Sequence, residues 1–333
     1  MTRGKSLIFS QEKLINSLFP VLFLLLFLLV FFLGFCRAGE NADIFFSAIA
    51  SLPPKTRPSV GLALSGGGAR GFAHVGVLEA LKSSAFPVDY VSGTSMGSVV
   101  GAFYADGLEQ EKIWEFGEKI EKYKVGRDFG SVKILKLIIS QRFIDPFYIR
   151  KFIDEQFASR NFSDLKIPFA CVAMDIKTGE KIIFREGELP LALKASVNLP
   201  GIFEPISYGS KELVDGGVVD FLPADALKEM GADWIISSVT ESKINSSPKN
   251  AVAALMQVID IRGSLLARQS KKESDFLFAP EVSDISVSDF NRANEAAFKG
   301  LIYSWPRIEE LKEAYLVFSL PRTISLSSGR RER

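Results

Sequence analysis

Histidine is nearly missing: His74 is the one imidazole among 333 residues. Most hydrolytic triads and most metal centres use at least one well-placed imidazole, so chemistry built on histidine is disfavoured. Two cysteines, Cys36 and Cys171, are too few for a disulfide framework or a Cys-based zinc site. Charge of one sign is missing too, since 40 Lys+Arg stand against 39 Asp+Glu for a net of +1. A nucleic-acid footprint needs an excess of basic residues on one face, so no nucleic-acid partner is expected. No internal repeat is present.

Long apolar runs are absent with one exception, the 18 residues from Leu18 to Phe35, almost wholly Leu, Phe and Val. Arg3, Lys5 and Lys13 precede this run and only Arg37 follows it closely. That asymmetry leaves the N-terminus in the cytoplasm and sends the remainder across the membrane. Residues 1–38 therefore read as a membrane anchor or a cleaved signal peptide. The length favours the anchor, and small residues Cys36 and Ala38 ahead of Gly39 suit cleavage. A lipid-modified Cys36 is a weaker option, because Phe35 sits where a lipobox wants a small residue. The expected location is exported across, or anchored in, the cytoplasmic membrane with the catalytic domain outside.

Residues 39–58 read as a linker ending in Leu52-Pro53-Pro54-Lys55-Thr56-Arg57-Pro58, whose prolines exclude helix and strand interiors. The folded domain is expected over 59–321, and 322–333, rich in Ser and Arg, as a disordered basic tail. Between these limits short apolar strands alternate with helical patterns, which predicts an α/β fold. Expected strands are Val60–Leu64, Val88–Val91, Ile167–Asp175, Lys181–Phe184, one near Leu213, and Trp234–Val239. Expected helices are Ala69–Ser83, Met96 to about Asp106, and one after Pro223. The apolar, helix-periodic segment Phe129–Phe152 is read as core, with a lid lying on lipid as the sharper alternative.

Two loops carry the chemistry. Gly66-Gly67-Gly68-Ala69-Arg70-Gly71 follows a strand and opens a helix, an arrangement that frees backbone N–H groups for an anion. Gly66, Gly68 and Gly71 also meet the G-x-G-x-x-G spacing of dinucleotide folds, but Asp89 opens the second strand where a ribose-binding acid would close it. What closes that strand is Gly93-Thr94-Ser95-Met96-Gly97, a G-x-S-x-G between strand and helix, the setting that holds a serine on a tight elbow. His74, four residues into the first helix, is fixed by helix packing and reads as structural, so the base must be another group. Asp215-Gly216-Gly217, an aspartate at a strand end followed by two close-approach glycines, is the best candidate. Asp175 begins a turn and reads as structural; Glu204 and Asp220 have no better claim.

These blocks, with Ala195-Ser196-Val197-Asn198-Leu199-Pro200-Gly201-Ile202-Phe203-Glu204-Pro205, resemble the patatin-like phospholipases over about Val60 to Ala314. The resemblance implies a three-layer α/β/α sandwich with a mostly parallel central sheet. It implies hydrolysis of lipid acyl esters, from membrane phospholipid or another lipid ester, with membrane association and without metal or other cofactor. Ser95 is then the nucleophile and Asp215 the base of a Ser-Asp dyad. Gly66, Gly67, Gly68 and Arg70 form the oxyanion loop, aided by the helix starting at Met96; Gly71, Gly93, Gly97, Gly216 and Gly217 shape the turns. Arg70 could steady that loop or approach a phosphate head group. An aspartate is a weak base unless its pocket raises its pKa, so positioning and the oxyanion loop are expected to carry more of the catalysis than basicity does. Rival readings are a dinucleotide-binding oxidoreductase and a catalytically silent, membrane-tethered lipid-binding module.

Overall fold

A computed structural model describes residues 38–327 except 55, 108–109, 130–132, 134–139, 141, 243–246 and 249–250. The apolar run of residues 18–35 and the expected signal or anchor cleavage region up to Arg37 lie outside the described residues. Among those described, no helix is long and apolar enough to cross a membrane. The helices are α1 Ala38–Ala50, α2 Ala73–Ser83, α3 Met96–Ala105, α4 Gln110–Lys122, α5 Phe147–Gln156, α6 Leu189–Ser196, α7 Ala224–Met230, α8 Ala251–Lys272, α9 Ala293–Ser304 and α10 Ile308–Ser327. The chain divides into two compact units, one of residues 59–308 and one of residues 1–58 with 309–333.

The larger unit is built on one mixed sheet. Strands β1 Val60–Leu64, β2 Tyr90–Thr94, β3 Phe169–Asp175, β7 Trp234–Ser238 and β8 Phe276–Phe278 are mutually parallel, while β4 Lys181–Phe184, β5 Ile206–Tyr208 and β6 Lys211–Asp215 add antiparallel pairs. Neighbours run β5-β6-β3-β2-β1-β7-β8, with β4 also pairing β3. Every residue of β1 and β7 is buried, as a parallel sheet covered on both faces requires. The period of two sorts β1 between the faces. A Cβ on Gly61 would touch Leu227 of α7, and Ala63 joins a core cluster with Leu227 and Ala267. Leu64 points the other way, toward Gly101 of α3. Helices therefore flank the sheet on both sides, the layered α/β architecture expected.

Strands β1 and β4 match their expected residues. Strand β2 lies later than expected, because Val88 and Asp89 lead in after Pro87 and the pairing of β2 with β1 begins at Tyr90. The first helix begins as a 3-10 turn over Gly68–Phe72 before α2. In the segment Phe129–Phe152, residues 130–132, 134–139 and 141, and with them the stripe of Ile134, Leu135 and Ile138, lie outside the described residues; α5 forms its end.

In the smaller unit the expected linker over 39–58 is corrected: α1 occupies Ala38–Ala50. The prolines begin only at Pro53, and the segment ahead of them supplies buried Phe46 and Ile49. Phe46 meets Tyr315 edge-on with centroids 6.4 Å apart, Lys312 Nζ lies 2.7 Å from Asp43 Oδ1, and Tyr315 donates its hydroxyl to Pro58 O at 2.8 Å. The tail expected from 322 is corrected in part, since α10 continues to Ser327. It carries Pro321 inside it, which removes one backbone hydrogen bond.

Candidate active site

The serine elbow follows from where β2 ends and α3 begins. Ser95 sits at φ 53°, ψ −128°, a conformation rare for a residue with a side chain. The turn is tight enough that a Cβ on Gly93 would lie 2.4 Å from Gly97 O, and one on Gly97 would lie 2.3 Å from Ser65 O. Only glycine fits at either place. The backbone N–H of Ser95 is held by Ser196 Oγ at 2.9 Å, and that hydroxyl donates to Val172 O at 2.7 Å.

Strand β3 brings the aspartate to the serine. It pairs with β2 through Phe169 to Val172 and with β6 through Ala173 to Asp175, while β4 pairs residues 171–174. The overlaps put β4 on one edge of β3, and β2 and β6 end to end on the other. Thr94 is opposite Val172 and Asp215 opposite Ala173. Two strands running in opposite directions thus stop one residue apart on a common ruler, although Ser95 and Asp215 are 120 residues apart in the chain. A Cβ on Gly216 would sit 2.4 Å from Val172 O, so the turn after Asp215 also requires glycine.

Ser95 Oγ donates to Asp215 Oδ2 at 2.6 Å, and the other carboxylate oxygen, Oδ1, accepts from Gly217 N at 2.7 Å. The backbone N–H of Asp215 is held by Asn198 O at 2.8 Å. Burial pushes the Asp215 pKa up from 3.8 to about 7, and the Ser95 and Gly217 hydrogen bonds offset part of that rise. Desolvation thus lifts this carboxyl toward neutrality, the condition the sequence sets for an aspartate that is to serve as a base.

The glycine loop passes beside this pair. Gly68 has φ 55°, and a Cβ there would lie 2.3 Å from Val287 O. The expectation of an anion donor at Gly66 is corrected: its N–H is spent on Phe221 O at 3.0 Å. The N–H groups of Gly67, Gly68 and Met96 have no acceptor among the described residues. Gly71 packs the loop onto the elbow, since a Cβ there would be 2.8 Å from Met96 Cβ. Arg70 does not line the cleft; its buried guanidinium grips Asp260 of α8, with Nη2 2.6 Å from Oδ1 and Nη1 3.3 Å from Oδ2. Of the two roles left open for it, steadying the loop is the one its partner supports.

His74 is fully buried, with Nε2 2.9 Å from Ser65 O and Nδ1 2.8 Å from Ser238 Oγ. Burial lowers its pKa to about 4, so the neutral ring donates to the carbonyl and accepts from the serine. Both nitrogens are occupied, as a structural histidine requires. Asp175 accepts from Lys177 N, Thr178 Oγ1 and Glu212 N and so closes its turn. Asp220 pairs with Lys181 at 3.2 Å. Asp89 accepts from Val60 N at 2.7 Å at the start of β1, the end of the sheet away from the glycine loop, where it cannot meet a ribose. No cluster of three or more His, Cys, Asp or Glu suited to a metal occurs among the described residues.

The cleft above Ser95 and Asp215 is narrow, with about 60 Å³ open to water-sized molecules. Its walls are apolar, including Val125, Ile149, Leu199, Phe203, Met256 and Ile259, and Ser95, Asp215 and the loop glycines form its floor. Sequence reasoning missed Ser196, Asn198 and Asp260. The first two lie in the block quoted for the resemblance, which marked the segment without giving either residue a role.

The Patatin model, described as patatin-like phospholipase, matches residues 62–228. The chain belongs to the patatin-like phospholipase family. It is 34% identical over 192 residues to Lysophospholipase NTE1 of Debaryomyces hansenii, covering 58% of this chain and 12% of that protein. It is 31% identical over 182 residues to an uncharacterized NTE family protein of Mycobacterium tuberculosis, covering 54% of this chain and 48% of that protein. The chain thus spans less than half the length of these relatives. Human GIVD cytosolic phospholipase A2 superposes with a TM-score of 0.48 at 14% identity, over 88% of this chain and 64% of that structure.

Proposed function

We propose that the chain is a serine lipid acyl hydrolase of phospholipase A or lysophospholipase type, working through a Ser95–Asp215 dyad. The observation that carries this reading is the 2.6 Å hydrogen bond from Ser95 Oγ to Asp215 Oδ2, beside N–H groups that have no acceptor among the described residues. Ser95 Oγ attacks the ester carbonyl as Asp215 takes its proton, forming a tetrahedral oxyanion. Gly67, Gly68 and Met96 N–H groups stabilise that charge; removing one such donor typically lowers the rate by about 10²–10³. Collapse expels the alcohol, which recovers the proton from Asp215. Water, deprotonated by the same carboxylate, then releases the fatty acid from the acyl-enzyme.

The apolar walls suit an acyl chain, and the names of relatives such as Lysophospholipase NTE1 favour a phospholipid or lysophospholipid. Membrane association and residence outside the cytoplasm, by export or anchoring, remain part of this proposal on the strength of the Leu18–Phe35 run. The dinucleotide reading loses its acidic residue to the β1 contact of Asp89. A panel of phospholipids, lysophospholipids, glycerides and simple esters, with the Ser95→Ala protein as blank, tests the proposal. Fatty-acid release by the parent and none by the variant supports it, and equal background from both refutes it.

A further inference from the structure

Helix α8 has two faces with different tasks. Met256, Ile259 and Asp260 line the catalytic cleft, Gly263 lies against Phe221, and Ala267 belongs to the core. On the opposite side, residues three and four apart align, and Val258, Ile261 and Leu265 form an apolar stripe that is 61%, 42% and 49% exposed. Single exposed apolar residues are ordinary, but three on one helix face above a cleft are a patch. Exposed Arg262, Arg268 and Lys272 border the stripe. The only carboxylate of α8, Asp260, is turned inward and neutralised by Arg70.

The patch continues around the cleft mouth. Leu255 and Met256 pack on Ile144, Ile202 and Phe203, and Phe143 and Phe147 beside Ile144 are exposed, with Arg142 next to them. Asp145 in this segment is exposed but paired with Arg150 at 3.1 Å, and on α8 itself an apolar stripe flanked by cations, with no outward acid on the helix, is the pattern of a helix that lies in a membrane interface.

We propose that the outer face of α8 is the surface by which the catalytic unit docks onto an anionic lipid bilayer. The proposal takes its lipid substrate from the acyl hydrolase reading. Docking here sets the bilayer one helix diameter, roughly 10 Å, from the cleft that holds Ser95. A second copy of the chain fits the face poorly, because two-fold pairing of α8 with itself sets Arg262 and Arg268 against their own kind. Helix α9 supplies an internal contrast: it too exposes Phe298 and Ile302, but its neighbouring charges are already matched, Arg292 and Lys299 to Glu295 and Asp284. Nothing there calls for an anionic surface.

The test uses the full chain in the Ser95→Ala background with Cys36→Ser, so that Cys171, which is buried, is the only native thiol left. A single Val258→Cys, Leu265→Cys or Phe298→Cys site carries an environment-sensitive fluorophore, and vesicles are phosphatidylcholine with or without phosphatidylglycerol. The labels at 258 and 265 are expected to shift to the blue and to be quenched by nitroxide lipids only when phosphatidylglycerol is present. Arg262→Gln or Arg268→Gln each weaken this roughly fivefold, the factor for about 1 kcal/mol per basic residue. The label at 298 stays unchanged. Labels at 258 and 265 that remain in water overturn the proposal, as does a shift before vesicles are added, which would mean that a second copy or another segment covers the face. A response at 298 in place of 258 and 265 overturns it as well. Because Ser95→Ala removes hydrolysis, bilayer entry with an inactive lipid panel would leave the docking face standing and refute only the hydrolase reading.

Discussion

Asp215 and His74 are both enclosed, and burial moves them in opposite directions. The Asp215 carboxyl rises to about 7, so its ionised form, the one the proposed dyad needs, is populated only as pH climbs through that value. The expected kcat/KM profile rises with an apparent pKa near 7 and is flat above it, whereas a profile inflecting near 4 would mean an exposed, ordinary carboxylate. His74, held neutral between Ser65 and Ser238, gives a different expectation. His74→Gln should lose about 1–3 kcal/mol of stability from broken buried hydrogen bonds yet keep most of its activity per folded molecule, read by urea melts and active-site titration. At this scale the sequence singles out Ser95 and Asp215, which the fold brings within 2.6 Å, and a His74 held by packing, whose two nitrogens the fold engages, because each sits in a local motif or a telling position. Ser196 and Asp260 were not legible. Their partners lie 101 and 190 residues away, and no local pattern encodes such a pairing.

Elements position Ser95 and Asp215 through backbone approaches too close for any Cβ. At the elbow, a Cβ added to Gly97 would lie only 2.5 and 2.3 Å from the carbonyl oxygens of Leu64 and Ser65. Gly97→Ala must push β1 and α3 apart, with an expected loss above about 2 kcal/mol and loss of activity, measured by denaturant unfolding alongside ester hydrolysis. The Arg70–Asp260 pair ties the glycine loop to α8. Asp260→Ala strands a buried guanidinium, and breaking such a pair costs about 3–5 kcal/mol; a thermal melt unchanged from the parent would contradict that account. Strands β1 and β4 were readable to the residue from their apolar patterns. Helix α1 was not, because the prolines that follow it dominated the reading of residues 39–58. The spent N–H of Gly66 was invisible for another reason: only the fold brings Phe221 O to it.

For the whole molecule, the two buried groups shape stability against pH. A carboxyl whose folded pKa lies above its unfolded value binds more protons when folded, so Asp215 makes stability fall as pH rises from about 4 to about 7. His74 works the other way, since its lowered pKa makes stability fall as pH drops from 6.5 toward 4. Asp215→Asn removes the first effect, and the variant should therefore melt above the parent at pH 8, with the gap closing toward pH 4. Each pKa unit corresponds to about 1.4 kcal/mol. A variant less stable than the parent at pH 8 would show that the carboxylate is not held at a cost. The α/β layering was legible from alternating strand and helix patterns, but the meeting of β2 and β6 on one edge of β3 depends on long-range register. The most direct test is the rate at which a fluorophosphonate modifies the protein, with the modified residue mapped by mass spectrometry. Modification at Ser95, slowing below pH 7 and falling by about 10²–10⁴ in Asp215→Asn, is the expected result. Modification at another residue, or Asp215→Asn reacting at the parent rate, would contradict a serine activated by that carboxylate.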